Sequence, residues 1–343
     1  MAQISVILPC YNVEKYIDRC LTSITRQTIG IDALEIICID DASTDNTWNR
    51  LQEWHARFPE NIIALHSDVN CKQGTARNIG LEYSTSPWIS FIDSDDWVEL
   101  DYFEKLYQGA LETDCEVITC QNKRDSSDSL TFFNERSTGK PNHMLLIDDE
   151  DKRKSFIHLA LINYSSWGKL IKKSFLIEYN ILFPEMIAYE DVPWGIIMHL
   201  YVKKAYVIEE YLYHYYINYS STVLQMNAEY HIDLLTGQLQ LWNELKVRNM
   251  LEPYYEELEY EFLFSCYLSV LKMIALRYET PPYSLYLLLK TCTLERIPDY
   301  RQNKYVQSAE HSPALTAMLE SLMLPMDRNE FLQFAEQIKA LGI

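Results

Sequence analysis

Three carboxylates within four positions, Asp93, Asp95 and Asp96, follow directly on the apolar run Trp88-Ile89-Ser90-Phe91-Ile92. A short run of this kind, closed by a polar turn, predicts a buried strand. In an open α/β sheet ligands bind beyond the carboxyl ends of the strands, which places the three acids in the crevice. Their mutual repulsion there calls for a cation. Hard oxygen ligands suit Mg²⁺ or Mn²⁺, with a substrate phosphate completing the coordination. The plainer alternative is a solvated acidic turn that caps a helix starting near Leu100.

Further candidate residues sit at the ends of neighbouring predicted elements. Tyr11 follows the first strand and Asp40-Asp41 the second. An aromatic face can stack a nucleobase, and a carboxylate can accept a ring N–H. Arg77 lies in the first turn of a helix opened by Gly74-Thr75-Ala76 and offers a forked donor to a diphosphate. Gly74 suits a close approach of backbone to phosphate. Each has a structural alternative: Tyr11 as a packing residue, Asp41 as a cap, Arg77 in a surface ion pair. Glu190-Asp191 opens a helix predicted to run to about Tyr201. Asp191 is there either an N-cap, with Pro193 in the first turn, or a general base.

A β-α-β-α rhythm positions these residues. Strands are predicted over Ile4 to Pro9, Leu34 to Ile39, Asn61 to His66, Trp88 to Ile92, Cys115 to Cys120 and about Ala205 to Ile208. Helices fall between them, over about Asn46 to Arg57, Gly74 to Tyr83 and Tyr102 to Glu112. Such alternation predicts a mostly parallel sheet with right-handed crossovers. The polar stretch Asn122 to Asn142 reads as a loop or short hairpin. Past Gln225 the pattern is helical, with a buried central helix over Leu258 to Tyr278 broken by Pro281-Pro282. The expected division is an α/β domain over 1–224 and an all-α C-terminal domain over 225–343.

The net charge of −19 argues against nucleic-acid binding, which needs a basic face. The eight cysteines show no CxxC pair and mostly lie in apolar runs, which points to reduced thiols and the cytoplasm. Strand residues begin within three positions of Met1, an arrangement expected to leave no room for a signal peptide. The apolar run Phe262 to Leu276 is too short to span a bilayer and contains Lys272, so a soluble chain is expected. The C-terminal helices leave room for peripheral contact with the inner face of a membrane, or for homo-oligomer contact.

The series Pro9-Cys10-Tyr11-Asn12, Asp40-Asp41-Ala42-Ser43, Gly74-Thr75-Ala76-Arg77-Asn78 and Asp93-Ser94-Asp95-Asp96 resembles the family 2 glycosyltransferases. The Glu190-Asp191 pair and the Tyr211 to Ser221 segment continue the resemblance over roughly residues 1–220. It implies a GT-A fold (Rossmann-like) and an inverting, nucleotide-sugar-dependent reaction in polysaccharide biosynthesis. It implies nucleotide-sugar contacts at Pro9, Tyr11, Asp41, Arg77, Asp93 and Ser94. Of these, Tyr11 and Asp41 would meet the base, Arg77 the diphosphate, and Asp93 the ribose. Asp95 of the DxD motif would hold Mg²⁺ or Mn²⁺, and Asp191 would be the base. The expected donor is a UDP-sugar carrying a hexose or N-acetylhexosamine, and the acceptor a growing surface glycan or lipid-linked glycan. His214, alone among tyrosines, reads as a packed residue and not a metal ligand. The arginine often found near Asn218 in that family is missing.

Two rival readings remain at this level. A nucleotidyltransferase shares an acidic metal site, but Pro9-Cys10-Tyr11-Asn12 is neither glycine-rich nor basic. A catalytically silent scaffold is disfavoured by the intact DxD and ED motifs. Asp41→Ala is expected to weaken the binding of uridine itself, measured by calorimetry. Equal loss for UDP and for inorganic diphosphate would move Asp41 out of the base pocket.

Overall fold

The computed structural model describes residues 2–218, 222–308 and 310–340. The chain divides into two compact units, one of Met1–Arg153 with Leu161–Asn218, the other of Lys154–Ala160 with Tyr219–Ile343.

In the first unit, strands β1 (Ile4–Cys10), β2 (Leu34–Asp40), β3 (Ile62–His66) and β4 (Trp88–Phe91) form a parallel layer in the order β3-β2-β1-β4. All seven residues of β1 are buried, because helices cover both faces of the sheet. Ile4, Val6, Leu8 and Cys10 face a cluster with Ile17, Leu21, Leu51 and Phe103. These come from helices α1 (Ile17–Thr25), α2 (Thr47–Arg57) and, beyond α3 (Lys72–Tyr83), α4 (Tyr102–Thr113). The opposite face carries Ile7, and α3 presses so closely on it that a Cβ at Gly80 would run into the Ile7 side chain and lie 3.0 Å from Ile39. Glycine is required there by contact, not by backbone conformation.

Beyond β4 the sheet is mixed. The two-residue β5 (Trp97–Val98), β6 (Val117–Asp125), β7 (His143–Leu146), β8 (Lys169–Lys172) and β9 (Lys204–Tyr216) complete nine strands among the described residues. β8 runs antiparallel between β4 and β6, β6 pairs parallel with β9, and β5 and β7 pair antiparallel with β9. The parallel expectation therefore holds for the first four strands, and an antiparallel insertion ends it. The predicted strand at Ala205 to Ile208 extends through the tyrosine-rich stretch to Tyr216, while Tyr219 to Ser221 lie outside the described residues. The polar stretch after Asn122 continues β6 to Asp125 and then forms a loop pinned by Trp97 Nε1, which donates to the Thr131 carbonyl at 2.7 Å. Three more helices follow: α5 (Glu150–Leu159), whose residues from Lys154 on belong to the second unit, α6 (Lys173–Glu178) and α7 (Asp191–Tyr201).

The second unit is helical: α8 (Asp233–Val247), α9 (Tyr255–Phe262), α10 (Ser269–Arg277), α11 (Tyr283–Arg296), α12 (Lys304–Ser308), α13 (Pro313–Ser321) and α14 (Arg328–Ala340). The expected buried central helix is α9 and α10, joined by a wider π turn over Leu263–Leu268. Tyr286 of α11 stacks on Phe331 of α14 with ring centroids 4.2 Å apart. Among the described residues no helix is long and apolar enough to cross a membrane.

Helix α7 buries every residue from Pro193 to Leu200, including His199. Burial first, then the nearby charges of Lys169 and Arg153, pushes His199 from 6.5 down to about 3. The imidazole is thus neutral when folded and protonates in the unfolded chain as pH falls below 6.5. Its contribution is whole above 6.5 and is lost progressively toward pH 3, by about 2 kcal/mol at pH 5. His199→Gln should flatten that part of the stability profile. Denaturant midpoints measured from pH 7 to pH 5 will show whether the mutant loses less stability than wild type over that interval.

Candidate active site

The turn after β1 and the loop after β2 are laced together. Asn12 takes φ 53, and its Oδ1 accepts from Thr44 N at 2.8 Å, while Asn12 N donates to Ser43 Oγ at 3.0 Å. Asp41 N donates to the Cys10 carbonyl at 2.8 Å. This lacing projects Tyr11 from the sheet edge, 47% exposed and open to a stacking partner. Asp41 is buried, and its Oδ1 accepts from Cys71 N at 2.6 Å. Burial raises the Asp41 pKa, and the backbone N–H groups of Cys71 and Lys72 oppose that shift. Asp41 therefore caps α3 across the sheet, where Cys71 supplies no side-chain cap of its own.

The carboxylate loop after β4 is held from three directions. Ser94 Oγ donates to the Pro9 carbonyl at 2.8 Å, which ties the loop to the end of β1 and occupies both of those groups with each other. Tyr213 Oη, from β9, donates to Asp96 at 2.7 Å and accepts from Asp93 N at 3.2 Å. Tyr216 N donates to the other oxygen of Asp96 at 2.7 Å. Asp96 is fully buried, and burial pushes its pKa well up, with Asp95 and Asp93 adding to it. Asp96 is thus a framework carboxyl. Asp95 reaches solvent in part, and burial together with the charge of Asp93 pushes it up to about 6. Asn218 Nδ2 donates to Asp95 at 3.1 Å, from the place where the resemblance led one to expect an arginine. No three His, Cys, Asp or Glu side chains among the described residues converge as a ready-made metal site.

The stretch Gly74 to Asn78 proves to be a mounting plate for the segment that leads into α7. A Cβ at Gly74 would collide with the Pro184 carbonyl and come within 3.0 Å of Glu190 Cγ. Thr75 Oγ1 accepts from Met186 N at 3.0 Å. Asn78 grips Phe183 twice, Nδ2 donating to its carbonyl at 3.0 Å and Oδ1 accepting from its N–H at 2.9 Å. Arg77 is 3% exposed, with Nη2 donating to Asp93 at 2.7 Å and Nη1 donating to Glu190. Its guanidinium carbon also sits 5.3 Å from the Phe183 ring centroid.

Two expected ligand contacts have protein partners here. The Pro184 carbonyl lies where a Cβ on Gly74 would be. Arg77 was expected to reach a diphosphate, but two carboxylates occupy both of its terminal nitrogens inside the protein. A solvated arginine has no such constraint; this one is buried and must be paired.

Asp191 is the first residue of α7 and not its cap; Glu190 holds the cap position and makes no side-chain cap bond. Asp191 Oδ1 accepts from its neighbour Val192 N at 3.0 Å, and the residue reaches solvent in part. Burial raises its pKa, Arg77 lowers it and Asp93 raises it, so it lies within electrostatic reach of both. Glu190 is likewise raised by burial and held down by Arg77. His214 is fully buried, each ring nitrogen 2.9 Å from a carboxylate, Glu99 and Asp125, with Phe133 stacked at 3.7 Å. That is a packed histidine. Tyr213, Tyr216 and Asn218 escaped sequence reasoning as site residues. Alternation could not single them out, because Leu212 and His214 are as deeply buried as Tyr213, and Tyr216 reaches Asp96 through its main chain.

The sequence profile of glycosyl transferase family 2 matches residues 5–179. The chain is 30% identical over 268 residues to EpsH of Bacillus subtilis (strain 168), named as a glycosyltransferase, covering 75% of this chain and 73% of that one. It is 30% identical to the poly(ribitol-phosphate) beta-glucosyltransferase of Bacillus spizizenii over 63% of this chain, but spans only 32% of that protein. Among solved structures, S. aureus TarS 1–349 in complex with UDP-GlcNAc superposes with TM-score 0.61 at 19% identity, covering 90% of this chain and 93% of that one. The mannosyltransferase PcManGT from Pyrobaculum calidifontis, in complex with GDP-Man and Mn²⁺, superposes with TM-score 0.51 at 15% identity, covering 99% and 86%.

Removing the guanidinium should expose how much it holds. Arg77→Met leaves Glu190 and Asp93 without their cation and should cost roughly 3–5 kcal/mol of stability in urea unfolding at neutral pH. Arg77→Lys, which keeps the charge but not the fork, should fall between. A mutant with unaltered stability would return Arg77 to the solvent-facing, phosphate-binding role.

Proposed function

The chain belongs to glycosyl transferase family 2 and is a glycosyltransferase of the GT-A fold, and from that premise we propose that it moves a hexose or N-acetylhexosamine from a UDP-sugar to a hydroxyl of a growing glycan, with inversion. The observation that carries the reading is the pairing of two acidic stations through one buried arginine. Asp93 of the DxD loop and Glu190 beside Asp191 are bonded to the same Arg77 side chain. Such an arrangement keeps a donor-side carboxylate and an acceptor-side carboxylate at a constant separation.

In this reading the base of UDP stacks on Tyr11 and donates its ring N–H to Asp41. The TarS complex with UDP-GlcNAc supports that donor class through the shared fold. Pro9 and Ser94 shape the floor of the nucleotide pocket through their mutual bond. The chemistry of the donor set fits a hard divalent cation, because burial and Asp93 leave Asp95 with a charge that a cation would stabilise. With no third side chain at hand, Mg²⁺ or Mn²⁺ would be held by Asp95 and the diphosphate oxygens, neutralising charge on the leaving group. The complex of PcManGT with Mn²⁺ is in keeping with that.

Asp191 then takes the proton of the acceptor hydroxyl while its oxygen attacks the anomeric carbon from the side opposite the diphosphate. The glycosidic bond forms, the bond from sugar to phosphate breaks, and UDP leaves with the electron pair. Burial suits Asp191 to this work, since a carboxylate with a raised pKa is the stronger base. The acceptor is a surface or lipid-linked glycan, met in the cytoplasm or at the inner face of a membrane. The poly(ribitol-phosphate) relative points to polymer acceptors as a class.

Asp191→Asn tests the assignment. UDP affinity and melting temperature should stay near wild type, while transfer falls by roughly 10²–10⁴-fold, mainly in kcat. Retained turnover would remove Asp191 as the base and direct attention to Glu190.

A further inference from the structure

Arg19, on α1, carries no motif, yet it is built into the support of the carboxylate loop. It is 9% exposed. Its guanidinium carbon lies 3.9 Å from the Trp97 ring centroid and 4.3 Å from that of Tyr216. From that slot Nη2 donates to the Asp95 carbonyl at 2.7 Å, and Nη1 donates to the Ser127 carbonyl. The aromatic residues that enclose it hold the same two segments. Tyr216 N donates to Asp96 and its Oη to Asp128 at 2.8 Å, while Trp97 Nε1 donates to the Thr131 carbonyl at 2.7 Å.

We propose that Arg19 is a positioning residue that sets the main chain of Asp95 and cross-braces it to the strap over 125–131, so that the Asp95 carboxylate meets a donor-bound divalent cation in one geometry. The planar fork is what the site requires. A guanidinium can stack between aromatic residues while its two amino groups reach acceptors on different segments, and a lysine ammonium cannot do both. Arg19 touches Asp95 only through the backbone carbonyl and so takes up no oxygen of the carboxylate, of which Oδ2 accepts from Asn218. Supports of this kind, one bond behind a metal ligand, typically change metal affinity by roughly 10–100-fold when removed.

The inference rests on the metal reading above, and its test separates the two. UDP binding is measured by calorimetry with Mn²⁺ and with EDTA, on wild type, Arg19→Gln and Arg19→Lys, alongside melting temperatures. In Arg19→Gln the affinity with EDTA should remain within about twofold of wild type, because Tyr11 and Asp41 lie on other loops. The enhancement by Mn²⁺ should fall by about tenfold or more, with Arg19→Lys intermediate. Full enhancement in Arg19→Gln would overturn the role of Arg19 and leave the metal assignment standing. Equal loss with and without Mn²⁺, accompanied by a lowered melting temperature, would make Arg19 merely structural. Should wild type itself show no enhancement, the metal assignment falls and this inference falls with it. If Arg19→Gln does not fold, Arg19→Lys decides on the same criterion.

Discussion

A single buried guanidinium organises this active site. Arg77 sits between Asp93 and Glu190, with Asp191 close enough to feel Arg77 and Asp93, and Asp95 close enough to feel Asp93. Four carboxylates gathered in a partly dry crevice would drive one another to protonate or drive the loops apart. One cation with two fixed directions of hydrogen bonding prevents both outcomes. Desolvating an arginine is costly, and here two carboxylates offset that cost at both terminal nitrogens while Nε is buried without a partner. The pairing in turn ties the loop after β4 to the start of α7, elements almost a hundred residues apart in the chain.

The remaining supports follow from that arrangement. The loop after β4 hangs from β9 through Tyr213 and Tyr216, from β1 through Ser94, and from α1 through Arg19. None of these groups titrates near neutrality, so the scaffold keeps its hydrogen bonds while the carboxylates it holds change charge. Asp96 illustrates the division of labour. Both of its oxygens are spent on β9, while Asp93 and Asp95 on the same loop are only half-buried.

The first four strands and their loops were legible because they are local. Mostly apolar runs such as Ile4 to Leu8, interrupted only by Ser5, read as strands covered on both faces, and the polar residues just past them fell at one edge by topology alone. The short β5 and β8 were not legible, being two and four residues long and set by their neighbours. The length of β9 was obscured by tyrosines that serve equally well in loops. Tyr11, Asp41, Asp95 and Asp191 could be picked out by type and position, and the structure puts them at loops of one sheet edge or at the start of α7. The partners of Arg77 could not be, since an ion pair across 113 residues leaves no local mark. The same holds for Gly74, where the need for glycine comes from a chain segment a hundred positions later.

The grip of Asn78 on Phe183 involves only the main chain of its target: one N–H and one carbonyl, held as a neighbouring strand would hold them. An anchor of that kind is indifferent to side-chain identity, excluding only proline at the gripped position. Thr75 holds Met186 in the same way, through its N–H. Residues 184–186 are therefore moored through their main chain, while Ile187 and Ala188 are held by burial. Over evolutionary time the exposed positions Glu185 and Met186 can be rewritten without loosening the machinery beside them. A lineage could change what it decorates while keeping how it does so.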